Sequence, residues 1–324
     1  MGLALVTGAT GYIGSRLVPE LLAQGWDVRV LTRDADRITP RAWADKVEIV
    51  EGDATSADAR TEACTGVDVL YYLLHSMDGE GSFRERDRQL AQGFGEAAYD
   101  AGVGRIVYLS GLHPDGRLSE HLASRVEVGD TLLSSGVPTA VLQAAMIVGA
   151  GSASYEMLRH LADSLPAMVA PSWLDNRIQP IAIGDVLHYL VASAGLDESV
   201  NRTFDVGGPD ILTYVEMIQR YAEARGRKKP PIVTVPALPP QVASEWISFV
   251  TPVPSGVAKP LIESLQHDVV CQENELDEHV GIPPDGLTHF EDAVRRALAG
   301  DGRSEPGEVD PAQLTTADPE WVRR

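Results

Sequence analysis

The chain of 324 residues has only two cysteines, Cys64 and Cys271, far apart and in no CxxC pair. A disulfide framework and a paired-cysteine zinc site are therefore excluded, no metal centre is expected, and a reducing compartment, the cytoplasm, is the expected location. Positive charge is also scarce. With 27 Lys and Arg against 47 Asp and Glu, the net charge of −20 repels nucleic acid and anionic membrane surfaces. The acidic residues are scattered rather than blocked, which is the pattern of a solvated surface. Long apolar runs are missing as well: none approaches the roughly 20 residues that span a bilayer. Leu3 to Val6 follows Met1 so closely that no signal peptide is expected, and Val6 occupies the place where a myristoylation motif starting at Gly2 needs Ser or Thr.

What the sequence does contain is a full complement of core residues, 44% hydrophobic, arranged behind one glycine-rich turn. Thr7-Gly8-Ala9-Thr10-Gly11-Tyr12-Ile13-Gly14 follows the apolar run Leu3-Ala4-Leu5-Val6 and opens an amphipathic stretch from Ile13 to Leu22. Strand, tight loop and helix in this order make a pyrophosphate site: the glycines admit a ligand that a Cβ would exclude, and the helix start offers unpaired N–H groups. The loop residues Gly8, Thr10, Gly11, Tyr12, Ile13 and Gly14 are candidate cofactor ligands. A second strand, Asp27 to Leu31, ends at Arg33, where a dinucleotide fold places the residue facing the adenosine ribose. An arginine fork suits a 2′-phosphate and favours NADP(H), while neighbouring Asp34 keeps NAD(H) as the competitor. A third strand ends at Gly52-Asp53-Ala54, which places Asp53 and Ala54 by the adenine, although Gly52-Asp53 would also serve as an ordinary turn.

Further strands are expected at 66–74, 105–109 and 139–142, with helices at about 90–101 and 119–133 between them. Strands alternating with helices behind a glycine loop predict a doubly wound parallel α/β sheet of Rossmann type. Beyond Gly149 the alternation loosens, with a helix from Tyr155 capped by Ser154, a strand at Gln179–Ile183 and a helix capped by Asp185. A strand is then expected at Thr203–Val206, a helix capped by Thr213, and a strand at Ile232–Val235. The expected organisation is a dinucleotide domain over 1–150 and a smaller substrate lobe over 151–299, interleaved with late Rossmann elements. From Gly300 on, a stretch rich in Gly, Pro, Asp and Glu without apolar periodicity predicts a mobile tail, 300–324.

Several segments carry a more specific likeness. Thr7 to Gly14, Tyr71-Tyr72-Leu73-Leu74-His75-Ser76-Met77, Ile106 to Leu112, Leu118 to Arg125, Gly149 to Arg159, Gln179 to Ile183, Phe204 to Pro209 and Val250 to Pro254 together resemble the atypical short-chain dehydrogenase/reductases. Within that group the resemblance is to the NmrA-like NAD(P)H-binding proteins. It implies an oxidoreductase acting on a small-molecule carbonyl, with Leu74 and His75 meeting the cofactor at the end of the fourth strand. It also implies a catalytic pair on the helix after the fifth strand, where relatives carry Tyr-x-x-x-Lys. Here His121 stands in the tyrosine slot and Arg125 in the lysine slot, so Arg125 would anchor the cofactor ribose and His121 would exchange the proton. Ser110 matches the hydroxyl that polarises a substrate carbonyl. Gln143 replaces an arginine common in relatives. A dinucleotide-sensing regulator and a sugar-nucleotide epimerase or dehydratase are the alternative functions. The sequence leaves room for a homodimer and assigns no nucleic acid or membrane partner.

Overall fold

The computed structural model describes residues 2–75, 83–113, 118–164, 168–235 and 266–323. Ser76, Met77 and the Val250 to Pro254 segment lie outside the described residues. In chain order the first half runs β1 (Leu3–Thr7), α1 (Tyr12–Ala23), β2 (Asp27–Thr32), β3 (Val47–Glu51), α2 (Ala57–Cys64), β4 (Val69–Tyr72), α3 (Phe83–Asp100), β5 (Arg105–Gly111), α4 (Glu120–Leu133) and β6 (Thr139–Ala144). The second half runs β7 (Ile147–Val148), α5 (Ala153–Ser164), β8 (Met168–Pro171), β9 (Arg177–Ile178), β10 (Ile181–Ala182), α6 (Ile183–Ala192), β11 (Arg202–Val206), β12 (Leu212–Thr213), α7 (Tyr214–Ala224), β13 (Ile232–Val235), α8 (Glu275–Val280) and α9 (Phe290–Leu298).

Seven strands form one parallel sheet in the order β11-β6-β5-β4-β1-β2-β3. Both faces are covered, and alternation along each strand sorts the side chains. Ala4, Val6, Tyr71, Val107 and Leu142 pack under α1 and α6, while Leu5, Leu70, Tyr72, Ile106 and Val141 pack under α2, α3 and α4. The strand order reverses between β1 and β4, which opens a crevice at the carboxyl ends of the strands, where open α/β sheets bind ligands. A second core, built from α5, α7 and α9 around Tyr155, Met157, Leu158, Met217 and Phe290, stands beside that crevice. Because β11 pairs with β6, the main sheet recruits a strand from well beyond residue 150.

Three local expectations are corrected. Asp185 does not cap a helix: α6 starts earlier, at Ile183, and the buried Asp185 carboxylate instead accepts the Thr288 N–H (2.8 Å) and hydroxyl (3.0 Å). Ser154 lies inside α5, whose first residue is Ala153, and the strand around residue 181 is only two residues long. Most consequentially, the segment after Gly300 is docked rather than mobile. The Asp318 carboxylate grips the Arg16 guanidinium of α1 at 2.8 and 2.9 Å, with both side chains 1% exposed. Arg16 also donates to the carbonyls of Pro311, Gln313 and Ala150, and Arg159 of α5 to that of Val322. Polar groups together with scattered apolar contacts of Ala312, Leu314 and Trp321, rather than an apolar stripe, hold this segment, which explains why periodicity misread it.

Candidate functional site

The cofactor cradle is shaped by what glycine permits. Gly8 adopts φ +70°, and a Cβ there would sit 2.9 Å from the Leu73 carbonyl oxygen at the end of β4. At Gly14 a Cβ would meet the Gly8 oxygen at 2.3 Å, so loop and helix close on each other only because neither carries a side chain. Helix α1 begins after Gly11, which supplies no side-chain cap, so the first N–H groups of the helix are left for an external acceptor. Thr7 ties the base of this cradle to its neighbour, its hydroxyl donating to the Tyr71 carbonyl (3.1 Å) and accepting the Leu73 N–H (3.0 Å). Uncapped donors and a backbone surface free of Cβ atoms fit a dinucleotide pyrophosphate.

Arg33 and Asp53, the residues the sequence assigns to the ribose and adenine, are both exposed, beyond the carboxyl ends of β2 and β3. Asp34 is already engaged: its carboxylate caps the turn at 35–37 by accepting the Asp36 N–H at 3.0 Å. Asp53 makes the turn that its sequence also suggested, accepting from the Thr55 N–H and hydroxyl (2.8 and 2.6 Å). Those two bonds, with Arg33 contributing less, hold its carboxyl below the usual range.

Beyond the cradle lies a cavity of about 260 Å³. Gly8, Gly11, Tyr12, Ile13 and Gly14 form one side of it, and His75, Ser110, His121 and Arg125 form its polar end. Thr10, Arg33, Asp53 and Ala54 stand apart from this cavity, and Leu74 lines a smaller neighbouring void of about 10 Å³ with His75, His121 and Asp87. The remaining wall is mostly apolar, with Met146, Ile147, Met157, Ile178, Tyr214 and Val269, and includes Ser154. Of these, Ser154 and Met157 fall in the Gly149 to Arg159 segment that carries the likeness to the dehydrogenase/reductases. The others come from short strands and helix starts, which carry no motif.

The polar end has a defined electrostatic character. Ser119 caps α4 by accepting the Leu122 N–H, and the helix sets His121 and Arg125 one turn apart. Arg125 donates to the Leu109 carbonyl at 3.1 Å, which fixes its head beside β5. Burial, and then the Arg125 charge, push His121 down to about 4. His75 opens onto the cavity yet is hemmed in by protein; burial, Arg125 and His121 push it down to about 3. Both imidazoles are therefore neutral at pH 7. Ser110, 4% exposed and opposite buried Gln143 in the sheet, has a hydroxyl without a hydrogen-bond partner among the described residues.

This arrangement has a measurable consequence for stability. Below pH 6.5 the unfolded chain takes up a proton at residue 121 that the folded chain refuses until about pH 4, so this contribution is complete above 6.5 and is lost as pH falls. Between pH 6.5 and 5 the melting temperature of the parent should therefore fall more steeply than that of His121→Gln. Parallel curves in a scanning fluorimetry series would contradict this.

Comparison with known proteins agrees with the geometry. Residues 8–159 match the family model described as NAD(P)H-binding. Over 320 residues the chain is 29% identical to a ceramide reductase of Caulobacter vibrioides, covering 91% of this chain and 95% of that protein. It is 34% identical over 120 residues to a 3 beta-hydroxysteroid dehydrogenase/Delta 5-->4-isomerase of Mycobacterium tuberculosis, a match covering 34% of this chain and 32% of that one. Among solved structures, the Citrobacter sp. triphenylmethane reductase complexed with NADP(H) superposes with a TM-score of 0.72 at 18% identity, covering 92% and 100% of the two chains. The Escherichia coli NADPH-dependent quinone oxidoreductase complexed with NADPH gives 0.71 at 18%, covering 91% and 99%. Among the described residues no helix is long and apolar enough to cross a membrane. The chain thus carries the NAD(P)H-binding pattern over residues 8–159 and shares the Rossmann fold of these reductases.

Proposed function

We propose that the protein is an NADPH-dependent reductase of a carbonyl group carried on an apolar, lipid-like substrate. The observation that carries this reading is the cavity itself. It begins at the glycine cradle, ends at His75, Ser110, His121 and Arg125, and is otherwise walled mainly by aliphatic, thioether and aromatic side chains. The near full-length likeness to a ceramide reductase supports a lipid substrate.

In this reading the bound nicotinamide supplies the hydride. The N–H groups at the start of α1 hold the pyrophosphate, and Arg33 pairs with the 2′-phosphate, since Asp34 is turned to its own backbone. Arg125, steadied by the Leu109 carbonyl, reaches the ribose hydroxyls. The Ser110 hydroxyl and the His121 N–H donate to the carbonyl oxygen and stabilise the charge that develops there. A neutral His121 donates a hydrogen bond to the forming alkoxide, and the proton that completes the alcohol is drawn from solvent by way of Ser110 or His121, the same path running backwards in the oxidation. That same neutrality also favours the second reading, a dinucleotide-sensing regulator, because an imidazole with a pKa near 4 is a poor acid at pH 7.

Cofactor choice is tested at Arg33. Calorimetry should show NADPH binding more tightly than NADH, and Arg33→Ala should weaken NADPH by about tenfold or more while leaving NADH unchanged, in line with ~1.5–3 kcal/mol for a charge-assisted pair. Equal affinities in the parent would return the assignment to Asp34 and NADH.

A further inference from the structure

His75, His121 and Arg125 form a partition. All three line the large cavity, and all three also line the void of about 10 Å³ beside it, whose other walls are Leu74, Asp87, Tyr108, Ser124 and Val128. The two sides differ in chemistry. On the cavity side stand Ser110 and the apolar wall; on the void side stand a carboxylate and a hydroxyl, deep between α3 and α4, with Asp87 6% and Ser124 3% exposed. An aspartate so deeply placed costs free energy unless polar groups surround it.

The Ser124 hydroxyl reaches the Asp87 carboxylate at 3.4 Å, a long contact for a pair that ordinarily closes to about 2.5–2.7 Å. The void beside them has room for about one water, and the side chains around it offer the two or more polar partners that a buried water needs. One helical turn from Asp87 and Ser124 respectively, Arg84 and Glu127 pair at the surface, so solvent is close to this end of the two helices. His75 and His121 are both neutral at pH 7, and each ring therefore carries one N–H donor and one bare acceptor nitrogen. Which nitrogen of His121 holds the hydrogen is decided by what the other one meets.

We propose that Asp87 is a positioning residue for His121, acting through one water held in the void together with Ser124. The water donates one hydrogen to the Asp87 carboxylate and the other to the void-side nitrogen of His121, and it accepts from the Ser124 hydroxyl. The ring hydrogen is thereby kept on the cavity side, where a substrate oxygen meets it. The chemical consequence, though not the tautomer, rests on the reductase reading. As hydride reaches the carbonyl carbon, the cavity-side N–H bond breaks and the O–H bond of the alcohol forms. The void-side nitrogen takes a hydrogen from the water, and the water regains one from solvent by way of Ser124. One hydride and one proton are consumed, and the ring passes from one neutral tautomer to the other; exchange with water resets it once product has left. His121 thus relays a proton that it is too weak a base to store.

The tautomer is read without substrate or cofactor, from the ring 15N shifts of protein labelled at its eight histidines, at pH 7, with the His121 signal identified by its loss in His121→Phe. The parent should show a single tautomer. In Asp87→Asn, which keeps the shape, the amide N–H donates to the water and turns it round, so the ring hydrogen moves to the void side and the 15N pattern inverts. His279, stacked against Phe204, should be unchanged. Ser124→Ala should shift the balance in the same direction, and it carries the test if the asparagine variant does not fold. With a long-chain ketone and NADPH, Asp87→Asn should lower kcat about tenfold with KM and NADPH affinity within about twofold, and should have no further effect in the His121→Phe background. An unchanged His121 tautomer in both variants, or an equal loss of kcat in the His121→Phe background, would overturn the proposal. Inversion of the tautomer in the variants, with no ketone reduced by the parent, would leave the positioning role standing and remove the reductase reading. Turnover in the parent, with tautomer and kcat indifferent to Asp87→Asn, would do the reverse.

Discussion

A chain ending at Leu298 is expected to melt far below the full-length protein and to bind NADPH more weakly. Truncation removes Asp318, the partner of a guanidinium that is 1% exposed, together with the Pro311 and Gln313 carbonyls that share Arg16. A buried charge stripped of its partner costs ~3–5 kcal/mol. At roughly 2–4 °C per kcal/mol for domains somewhat smaller than this chain, the midpoint should fall by about 10 °C. Cofactor affinity follows because Arg16 sits one turn beyond Tyr12 on α1 and also donates to the Tyr12 carbonyl (3.3 Å), so the tail steadies the helix whose first turn forms the cradle. Asp318→Ala alone should reproduce most of the loss. The double variant Arg16→Met with Asp318→Leu should be milder than either single change, since it leaves no orphaned charge. Scanning calorimetry decides the matter: a truncated chain that melts within a degree or two of the parent would show that the segment contributes no stability.

At the other end of the cavity, Ser110→Ala and His121→Phe should each lower kcat by ~10²–10³-fold, the usual worth of a positioned oxyanion donor. NADPH affinity should hardly change, because neither residue belongs to the cradle. Arg125→Ala should act differently, weakening the cofactor first. If His121→Phe leaves turnover intact, the histidine only lines the site, and Ser110 with solvent remains as the source of the hydrogen bond and proton.

The parts of this account that were legible in the sequence are those written in short-range pattern. Gly8, Gly11 and Gly14 between an apolar strand and an amphipathic helix announce the cradle, because backbone conformation and close approach demand glycine there. The strands at residues 69, 105 and 139 announce a parallel sheet because both their faces are buried. What the sequence hid depends on contacts between distant residues. Arg16 and Asp318 are 302 positions apart, and nothing near either signals a pair; a segment of Gly, Pro and Asp that docks through carbonyls resembles one that does not dock. His121 was visible by its spacing to Arg125, but its neutrality was not, since that follows from burial.

On the proposed function, hydride leaves NADPH in this cavity and arrives on the carbonyl carbon of an apolar, lipid-like ketone. The most direct measurement incubates the protein with NADPH deuterated at the transferable C4 position and a long-chain ketone, then reads the product by mass spectrometry. The account predicts one deuterium on the new carbinol carbon, with label from only one of the two C4 epimers of the cofactor and with a yield that collapses in Ser110→Ala. Tight NADPH binding with no deuterium in any product, across ketones of varied chain length and polarity, would contradict it and leave the protein as a sensor of the dinucleotide.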